Sequence, residues 1–309
     1  MNKEFLTYDQ QIELLKSKGL SISNESITRE ALERIGYFQL IGGYKHSFKN
    51  TTTKNYRDGV DFIDILSLYE FDETLRQIIL RYLLMLERDV KSKIAYYFSL
   101  NYGTMQTQYL DSNNYSKSSK NIAGVKHLVK ILSELTKKPS KYTYITHHQN
   151  KYQNVPLWVL INGITFGSMS KMFGYLPQSI QSKVCRNYPL NIKQFEQILE
   201  VLTKYRNTCA HGERLFSYRT RDDMPDLMLH KKLGISQKGS QYIYGKKDLF
   251  SVLIALRYML PSIKFNEMKK SIALAISGFI SDCDAIEESQ LLRLMGFPEN
   301  WKKITAYKL

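Results

Sequence analysis

Side chains able to act on a phosphodiester are crowded into one short stretch of the sequence, YRNTCAHGERL, which covers residues 205–215. Arg206 is followed directly by Asn207, and His211 and Arg214 come next along the chain. An imidazole can take or give a proton, and a guanidinium can stabilise the charge that grows on phosphorus. Together the two groups suit RNA cleavage by the RNA's own 2′-hydroxyl, a reaction that needs no metal. Asn207 could orient the imidazole or donate to a phosphate oxygen.

A helix is predicted to carry this stretch. Asn191 and Gln194 form a capping-box pattern at its start. Apolar residues then recur at helical spacing: Ile192, Phe195, Ile198, Leu199 and Leu202. Gly212 is an end signal, so we expect His211 at or near the C-terminus of the helix, on the same face as Asn207. The partial negative charge at a helix C-terminus favours a protonated imidazole there.

The spacing of arginine and histidine is weak evidence by itself. In a chain of this composition, about 0.8 matches to Arg followed by His after four to six residues are expected by chance. An equally good interpretation is a helix end whose arginine and histidine cap free carbonyls. The motif also stands alone, because no other histidine has an arginine four to six residues before it.

The net charge of +15 and the pI near 9.5 favour a polyanionic partner. Nucleic acid is the first candidate, and an acidic membrane surface is the second. A basic background without a functional meaning is the alternative. With 43% hydrophobic and 24% charged residues, the 309-residue chain has the composition of a globular protein and not of a disordered one.

The cysteines indicate neither a disulfide framework nor a zinc site. Cys185, Cys209 and Cys283 are odd in number, lie far apart and form no CxxC or Cys/His cluster. We therefore expect no metal and no cofactor. The start of the chain lacks an apolar signal core, and no apolar run reaches the ~18–20 residues that span a bilayer. A cytoplasmic location without a membrane partner is the expectation.

An all-α fold is predicted from the periodicity and from the low glycine and proline content. Expected helices lie in 7–19 and 25–38, in 61–101 as one or two long helices, after Pro156 as a core helix followed by a short helix, from Asn191, and as three more near the C-terminus. The stretch 39–59 is expected to be loop or short irregular elements, and GISQKGSQYIYG could form one small β-hairpin. Four charged residues of the long helical region are expected on a solvated face: Glu87, Arg88, Lys91 and Lys93.

A lysine-rich segment at 117–153 differs from the rest of the chain. It holds eight lysines and one acidic residue, and tyrosines and histidines are interleaved among them. Lysines bind phosphates as mobile charges, and tyrosines offer faces to unpaired bases. Lys137, Lys138 and Lys141, together with Arg214, are the candidate RNA-binding residues. A helix with a mobile, solvated lysine-rich loop is an equally good interpretation.

The stretch RNTCAHGERL resembles the signature of the Abi-like proteins, the AbiD/AbiF group of bacterial abortive-infection factors. The similarity extends over nearly the whole chain. It includes ALERIGYFQLIGGY near the start, YEFDETLRQIILRYLLMLERDVKSKIAYYFS in the long helical region, PLWVLINGITFGSMSKMFGYL and the closing MGFPENWKK.

This resemblance implies a HEPN-like helical bundle with additional N- and C-terminal helices. The expected division is an N-terminal helical region at 1–60 and a HEPN-like domain at 61–309 that contains the lysine-rich segment. In that superfamily the R-x4-6-H motif cleaves RNA without metal, usually as a pair. Arg206 and His211 then form the catalytic pair, with Asn207 as a polar companion, and the second copy of the motif must come from another subunit of a homodimer.

The implied role is phage defence by an endoribonuclease toxin that a small RNA or a protein antitoxin restrains. One residue departs from the pattern: relatives often have a second histidine after the motif histidine, where this chain has Gly212. Activity could therefore be weaker or differently tuned. The alternative functions are a catalytically inert, HEPN-type RNA-binding regulator and, with less support, a protein that uses its lysines at a membrane surface.

Overall fold

The structure, a computed structural model, describes residues 4–309 and is mostly helical. Helix α1 (Tyr8–Lys16) begins with the predicted capping box, in which the Thr7 N–H donates to the Gln10 side chain at 2.9 Å and the Thr7 hydroxyl accepts the Gln10 N–H at 3.3 Å. Helix α2 (Glu25–Ile35) is shorter than predicted. It ends at Gly36, whose φ of 88° lies outside the helical region and turns the chain away.

Short irregular turns follow α2, as the polar composition of 39–59 predicted. A π-helical turn spans Phe38–Gly42, and a 3-10 turn spans Lys45–Ser47. Leu40 and Ile41 of the π-helical turn are buried, whereas the Phe38 side chain is 86% exposed. The turn therefore holds an aromatic ring at the surface while its apolar neighbours fix it to the core.

The long periodic region forms one helix, α3 (Phe62–Tyr102), of 41 residues. Asp61 caps its first turn together with Asp64, and Gly103, with a φ of 92°, ends it. Most of its apolar residues from Phe62 to Phe98 are buried, because helices pack on it from several sides. These neighbours are α7 (Leu157–Leu160), α9 (Gln178–Cys185), α10 (Ile192–Ala210) and α13 (Ser262–Asp282).

Glu87 and Lys91 of α3 are buried, which corrects the expectation that they lie on a solvated face. Arg88 is exposed as expected, and Lys93 is partly exposed. The physical reason is that Glu87 and Lys91 neutralise each other inside the fold. The Lys91 ammonium donates to the Glu87 carboxylate at 2.7 Å and to the carbonyl of Ile164 at 2.6 Å. A buried ion pair of this kind needs such hydrogen bonds.

The other helices complete the all-α fold that the sequence predicted. In chain order they are α4 (Gln106–Leu110), α5 (Ile122–Leu135), α6 (Thr143–Tyr152), α7 (Leu157–Leu160), α8 (Phe166–Tyr175), α9 (Gln178–Cys185), α10 (Ile192–Ala210), α11 (Met228–Lys232), α12 (Leu249–Met259), α13 (Ser262–Asp282) and α14 (Glu288–Met295). Helices α12, α13 and α14 are the three that the C-terminal periodicity predicted. The core helix expected after Pro156 is only the single turn α7, and the longer helix is α8.

The chain passes close to Tyr142 in the break between α7 and α8. At Gly163 a Cβ atom would lie 2.9 Å from the ring of Tyr142, so a side chain at this position would displace the ring. Tyr142 also donates to the Gly163 carbonyl at 3.3 Å. The lysine-rich segment, which includes α5 and α6, is thus folded against the body of the protein.

The predicted hairpin is present between α11 and α12. Strand β1 (Gln237–Lys238) pairs antiparallel with β2 (Gln241–Tyr242), and Gly239 has the positive φ of 64° that a tight turn requires. All three cysteines are free and buried. Within residues 4–309 no helix is both long and apolar enough to cross a bilayer. The division of the chain near residue 61 stays a prediction.

Candidate active site

Helix α10 positions the motif through its two ends. At its start the side chain of Asn191 accepts the Gln194 N–H at 2.9 Å, and the Gln194 side chain accepts the Asn191 N–H at 3.1 Å. At its end His211 is the C-cap residue, as predicted, and its N–H donates to the carbonyl of Asn207 at 2.9 Å. The N-cap at Asn191, the helix and its end at His211 therefore agree with the prediction from the sequence.

Gly212 closes the helix in a Schellman arrangement. The Gly212 N–H donates to the Cys209 carbonyl at 3.3 Å, and the Glu213 N–H donates to the Thr208 carbonyl at 3.0 Å. Gly212 has a φ of 68°, which side chains with a Cβ adopt at a cost. This conformation gives a structural reason for the glycine at position 212.

The ring of His211 is exposed and makes no hydrogen bond with any residue in 4–309. Asn207, one turn earlier, is exposed as well. The opposite face of α10 is buried and packs on the core. It includes Tyr205, whose hydroxyl donates to the Lys247 carbonyl at 2.8 Å. The imidazole is thus presented to solvent by a fixed backbone, and it does not cap a carbonyl.

Arg206 lies on a different side of the helix end. Its side chain is 26% exposed, and its Nε atom lies 3.8 Å from Oε2 of Glu87 in α3. The other oxygen of Glu87 is the one that accepts from Lys91. Among residues 4–309, neither Nε of Arg206 nor Oε2 of Glu87 has a hydrogen-bond partner. One carboxylate therefore faces two cations, so the cluster keeps a net positive charge.

A cleft of about 620 Å³ opens beside His211. One wall is the segment that follows α10, the other is the turn after α2, and α3 contributes one tyrosine. The lining residues are Phe38, Gln39, Gly42, Gly43, Tyr44, Tyr69, His211, Gly212, Glu213, Arg214, Ser217, Tyr218 and Arg219. The cleft thus contains two of the predicted residues, His211 and Arg214, but neither Arg206 nor Asn207.

Asp72 of α3 joins the two walls of this cleft. Its carboxylate accepts the N–H groups of Leu215 at 2.9 Å and Phe216 at 2.6 Å. It also accepts the Tyr44 hydroxyl at 2.7 Å and an N–H of Arg76 at 2.8 Å. Burial and the neighbouring Asp72 carboxylate raise the pKa of Tyr44, so this hydroxyl remains a hydrogen-bond donor.

The candidate RNA-binding lysines lie on another part of the fold. Lys137 pairs with Glu134 at 2.6 Å just after α5, and the Lys141 ammonium lies 5.1 Å from the ring centroid of Tyr142. Lys138 stands between them in the connection from α5 to α6. Helix α5 packs on α8, and α8 packs on α10. The three lysines do not line the cleft.

Sequence reasoning missed Glu87, Asp72 and the aromatic wall of the cleft. A signal for Glu87 was present, because Leu83, Glu87 and Lys91 follow one another at steps of four and so share the buried face of α3. Phe38 carried no comparable signal, since neither its exposure nor its closeness to His211 follows from local pattern.

A model of the family described as Abi-like protein matches residues 30–217, from α2 to just beyond the motif. The match covers more than half of the chain, and the chain therefore belongs to the Abi-like protein family. Membership implies a role in abortive infection, a form of phage defence. No curated protein and no solved structure matches the chain.

Proposed function

We propose that this protein is a metal-independent endoribonuclease of phage defence, of the HEPN type, in which Arg206, Asn207 and His211 form the catalytic group. The observation that carries the proposal is the presentation of the His211 ring. It is exposed, free of hydrogen bonds within residues 4–309, and located at a cleft that also holds Arg214 and Arg219. Family membership in an abortive-infection group and the charge of +15 support it.

In the proposed reaction the RNA 2′-oxygen forms a bond to phosphorus while the bond from phosphorus to the 5′-oxygen breaks. One imidazole takes the proton of the 2′-hydroxyl, and a second imidazole gives a proton to the departing 5′-oxygen. The products are a 2′,3′-cyclic phosphate and a 5′-hydroxyl. General acid–base catalysis of this kind contributes ~10²–10⁴-fold. The guanidinium of Arg206 stabilises the charge on the non-bridging oxygens.

A homodimer supplies the second imidazole in this proposal, because the chain has a single motif. Arg206 fits a shared site better than the cleft of its own chain. It does not line that cleft, and it keeps a quarter of its side chain exposed beside Glu87. Sedimentation at micromolar concentration tests the dimer, and a fully active 36 kDa monomer would refute it.

RNA binding away from the reacting atoms is assigned in this proposal to Arg214, Lys137, Lys138 and Lys141. A small RNA or a protein antitoxin restrains the enzyme before infection in this proposal. The second candidate function is an inert RNA-binding regulator. The contact between Arg206 and Glu87 favours it, because a carboxylate beside the guanidinium reduces the positive field available to a phosphate.

Incubation of the purified protein with single-stranded RNA in excess EDTA separates the two functions. The nuclease predicts cleavage that leaves 2′,3′-cyclic phosphate ends and that His211→Ala abolishes while RNA binding persists. His46→Ala is the matched control, because His46 is exposed but does not line the cleft. Undiminished cleavage by His211→Ala would falsify the assignment, and binding without any cleavage by the wild-type protein supports the regulator.

A further inference from the structure

We propose that the cleft beside His211 is a nucleobase subsite, in which one unpaired base of the RNA stacks on Phe38 while Arg214 and Arg219 hold the adjoining phosphates. This inference rests on the proposed nuclease function for its biological meaning. It adds a binding site at Phe38, Tyr69 and Arg219 that the motif itself does not indicate.

Phe38 provides an open aromatic face. Its side chain is 86% exposed, and a Cβ atom placed on Gly42 would lie 3.6 Å from its ring, so the ring rests near the backbone of its own turn. A single exposed apolar side chain is ordinary on a protein surface. Phe38 differs because it lines a cleft, and because the π-helical turn that carries it is fixed by buried Leu40 and Ile41.

The other aromatic rings of the cleft are fixed by their neighbours. The ring of Tyr69 packs edge to face on Tyr44, with 5.5 Å between the ring centroids. The ring of Tyr218 packs in the same way on Tyr205, with 5.1 Å between the centroids. Tyr69 and Tyr218 are half-buried, so part of each remains at the cleft surface. Rigid aromatic walls bind a flat, uncharged ring at little cost in conformational entropy, and base stacking on such rings tolerates any base.

The two arginines are oriented by backbone carbonyls. Arg214 donates to the carbonyl of Gly43 across the cleft, and Arg219 donates to those of Tyr218 at 3.0 Å and Leu294 at 2.8 Å. Each guanidinium has five N–H donors, so donors remain for a phosphate. Glu213 is the single acidic residue among the lining residues, which leaves the cleft positive.

Cations beside open aromatic faces match a nucleotide, which combines an anionic phosphate with a flat base. The volume of about 620 Å³ lies within the ~300–1,000 Å³ of ordinary ligand pockets. A base held in a duplex keeps both faces stacked and cannot reach Phe38. The cleft therefore selects RNA with an unpaired nucleotide next to the phosphodiester at which His211 transfers a proton.

The test measures equilibrium binding of a short single-stranded RNA analogue with fluorine in place of every 2′-hydroxyl. This substitution removes the nucleophile and keeps the RNA sugar conformation. Binding is measured in EDTA on the His211→Ala background, so that no cleavage interferes. Phe38→Ala is expected to weaken binding on the order of 10-fold, the loss of one stacked base. Phe38→Trp is expected to keep the affinity. Phe5→Ala is the matched control, because Phe5 is 89% exposed and does not line the cleft.

A scan with one abasic nucleotide at each position locates the stacked base. At one position the abasic strand should bind the parent and the Phe38→Ala protein equally, and a blunt duplex should bind both equally. Equal single-strand affinities of Phe38→Ala and its parent overturn the subsite, and so does an equal loss in Phe5→Ala. Cleavage that survives His211→Ala overturns the catalytic role of His211, and absence of cleavage by the wild-type protein overturns the nuclease function. Neither result changes the binding test.

Discussion

Arg206 and Glu87, which stand 119 positions apart in sequence, face each other at 3.8 Å between Nε and Oε2. The distance is too long for a hydrogen bond, and neither atom has a hydrogen-bond partner elsewhere in the part of the chain that the structure describes. The carboxylate is fixed from its other oxygen by Lys91. Glu87 therefore holds the Nε edge of the guanidinium by charge, and no hydrogen bond ties the rest of the group to the described chain.

Glu87→Gln is expected to lower RNA cleavage on the order of 10-fold, because the guanidinium of Arg206 loses the charge that orients it. The same variant should also lower the free energy of unfolding by about 3 kcal/mol, because Lys91 stays buried without the negative charge of Glu87. Initial cleavage rates and urea unfolding measure the two effects. Asp89→Asn is the control on the same helix, and it should leave the cleavage rate near wild type.

The double variant Glu87→Gln with Lys91→Met separates the effect of Glu87 on the orientation of Arg206 from its effect on the stability of the fold. Replacing both members of the buried pair should restore much of the unfolding free energy. Cleavage should stay low, because Arg206 still lacks its carboxylate. Recovery of full activity together with stability would show that Glu87 acts only through the fold.

Gly212→Ala is expected to destabilise the protein by about 1 kcal/mol, because the φ of 68° is unfavourable for a residue with a Cβ. A Cβ at this position would touch nothing, so the effect is due to the backbone alone. Gly278→Ala is the matched control, because it lies inside α13 and also has open space around it. There alanine should stabilise by about 0.5–1 kcal/mol, and thermal unfolding of both variants should show opposite signs.

The carboxylate of Asp72 accepts hydrogen bonds from four donors. Asp72→Asn is expected to lower the free energy of unfolding by about 3 kcal/mol, because the NH2 group of asparagine would face at least one of these donors and the charge that pairs with Arg76 would be lost. Hydrogen exchange should become faster at the amides of Leu215 and Phe216. Tyr44→Phe removes one donor and should cost about 1 kcal/mol, without faster exchange at those amides. Equal exchange in the two variants would contradict the role given to Asp72.

Neutralising Lys137, Lys138 and Lys141 with glutamine is expected to weaken RNA binding and to flatten its salt dependence. Each lost phosphate contact should lower the slope of log affinity against log salt by about 0.7 for a single strand. The control neutralises Lys302, Lys303 and Lys308, which are exposed near the C-terminus and carry the same charge. If both triple variants change the slope alike, the effect belongs to net charge and not to the segment after α5.

Short sequence patterns predicted the elements whose bounds depend on interactions between nearby residues. The capping box at Asn191, the apolar series behind it and the glycine after His211 fixed both ends of α10, because each involves residues within a few positions. For the same reason the helices near the C-terminus and the hairpin at β1 and β2 were predictable. The close approach of Gly163 to the ring of Tyr142 was not predictable, because the two residues are more than twenty positions apart.

The site was predictable only in part. The motif residues and Arg214 could be named from the sequence, but the cleft joins Phe38 to His211 and the charged cluster joins Glu87 to Arg206. Contacts over such separations depend on how α3 and α10 pack. No periodicity within either helix contains that information.

Helix α3 contributes both carboxylates that hold the site: Asp72, which binds the backbone beside the cleft, and Glu87, which faces Arg206. At 1.5 Å and about 100° per residue, they are separated by about 22 Å along the axis and by a fixed angle around it. One residue inserted between them would rotate Glu87 through about 100° relative to Asp72 and aim it away from Arg206. In this stretch the number of residues is therefore constrained as strictly as their identity, and insertions in relatives should fall in the loops.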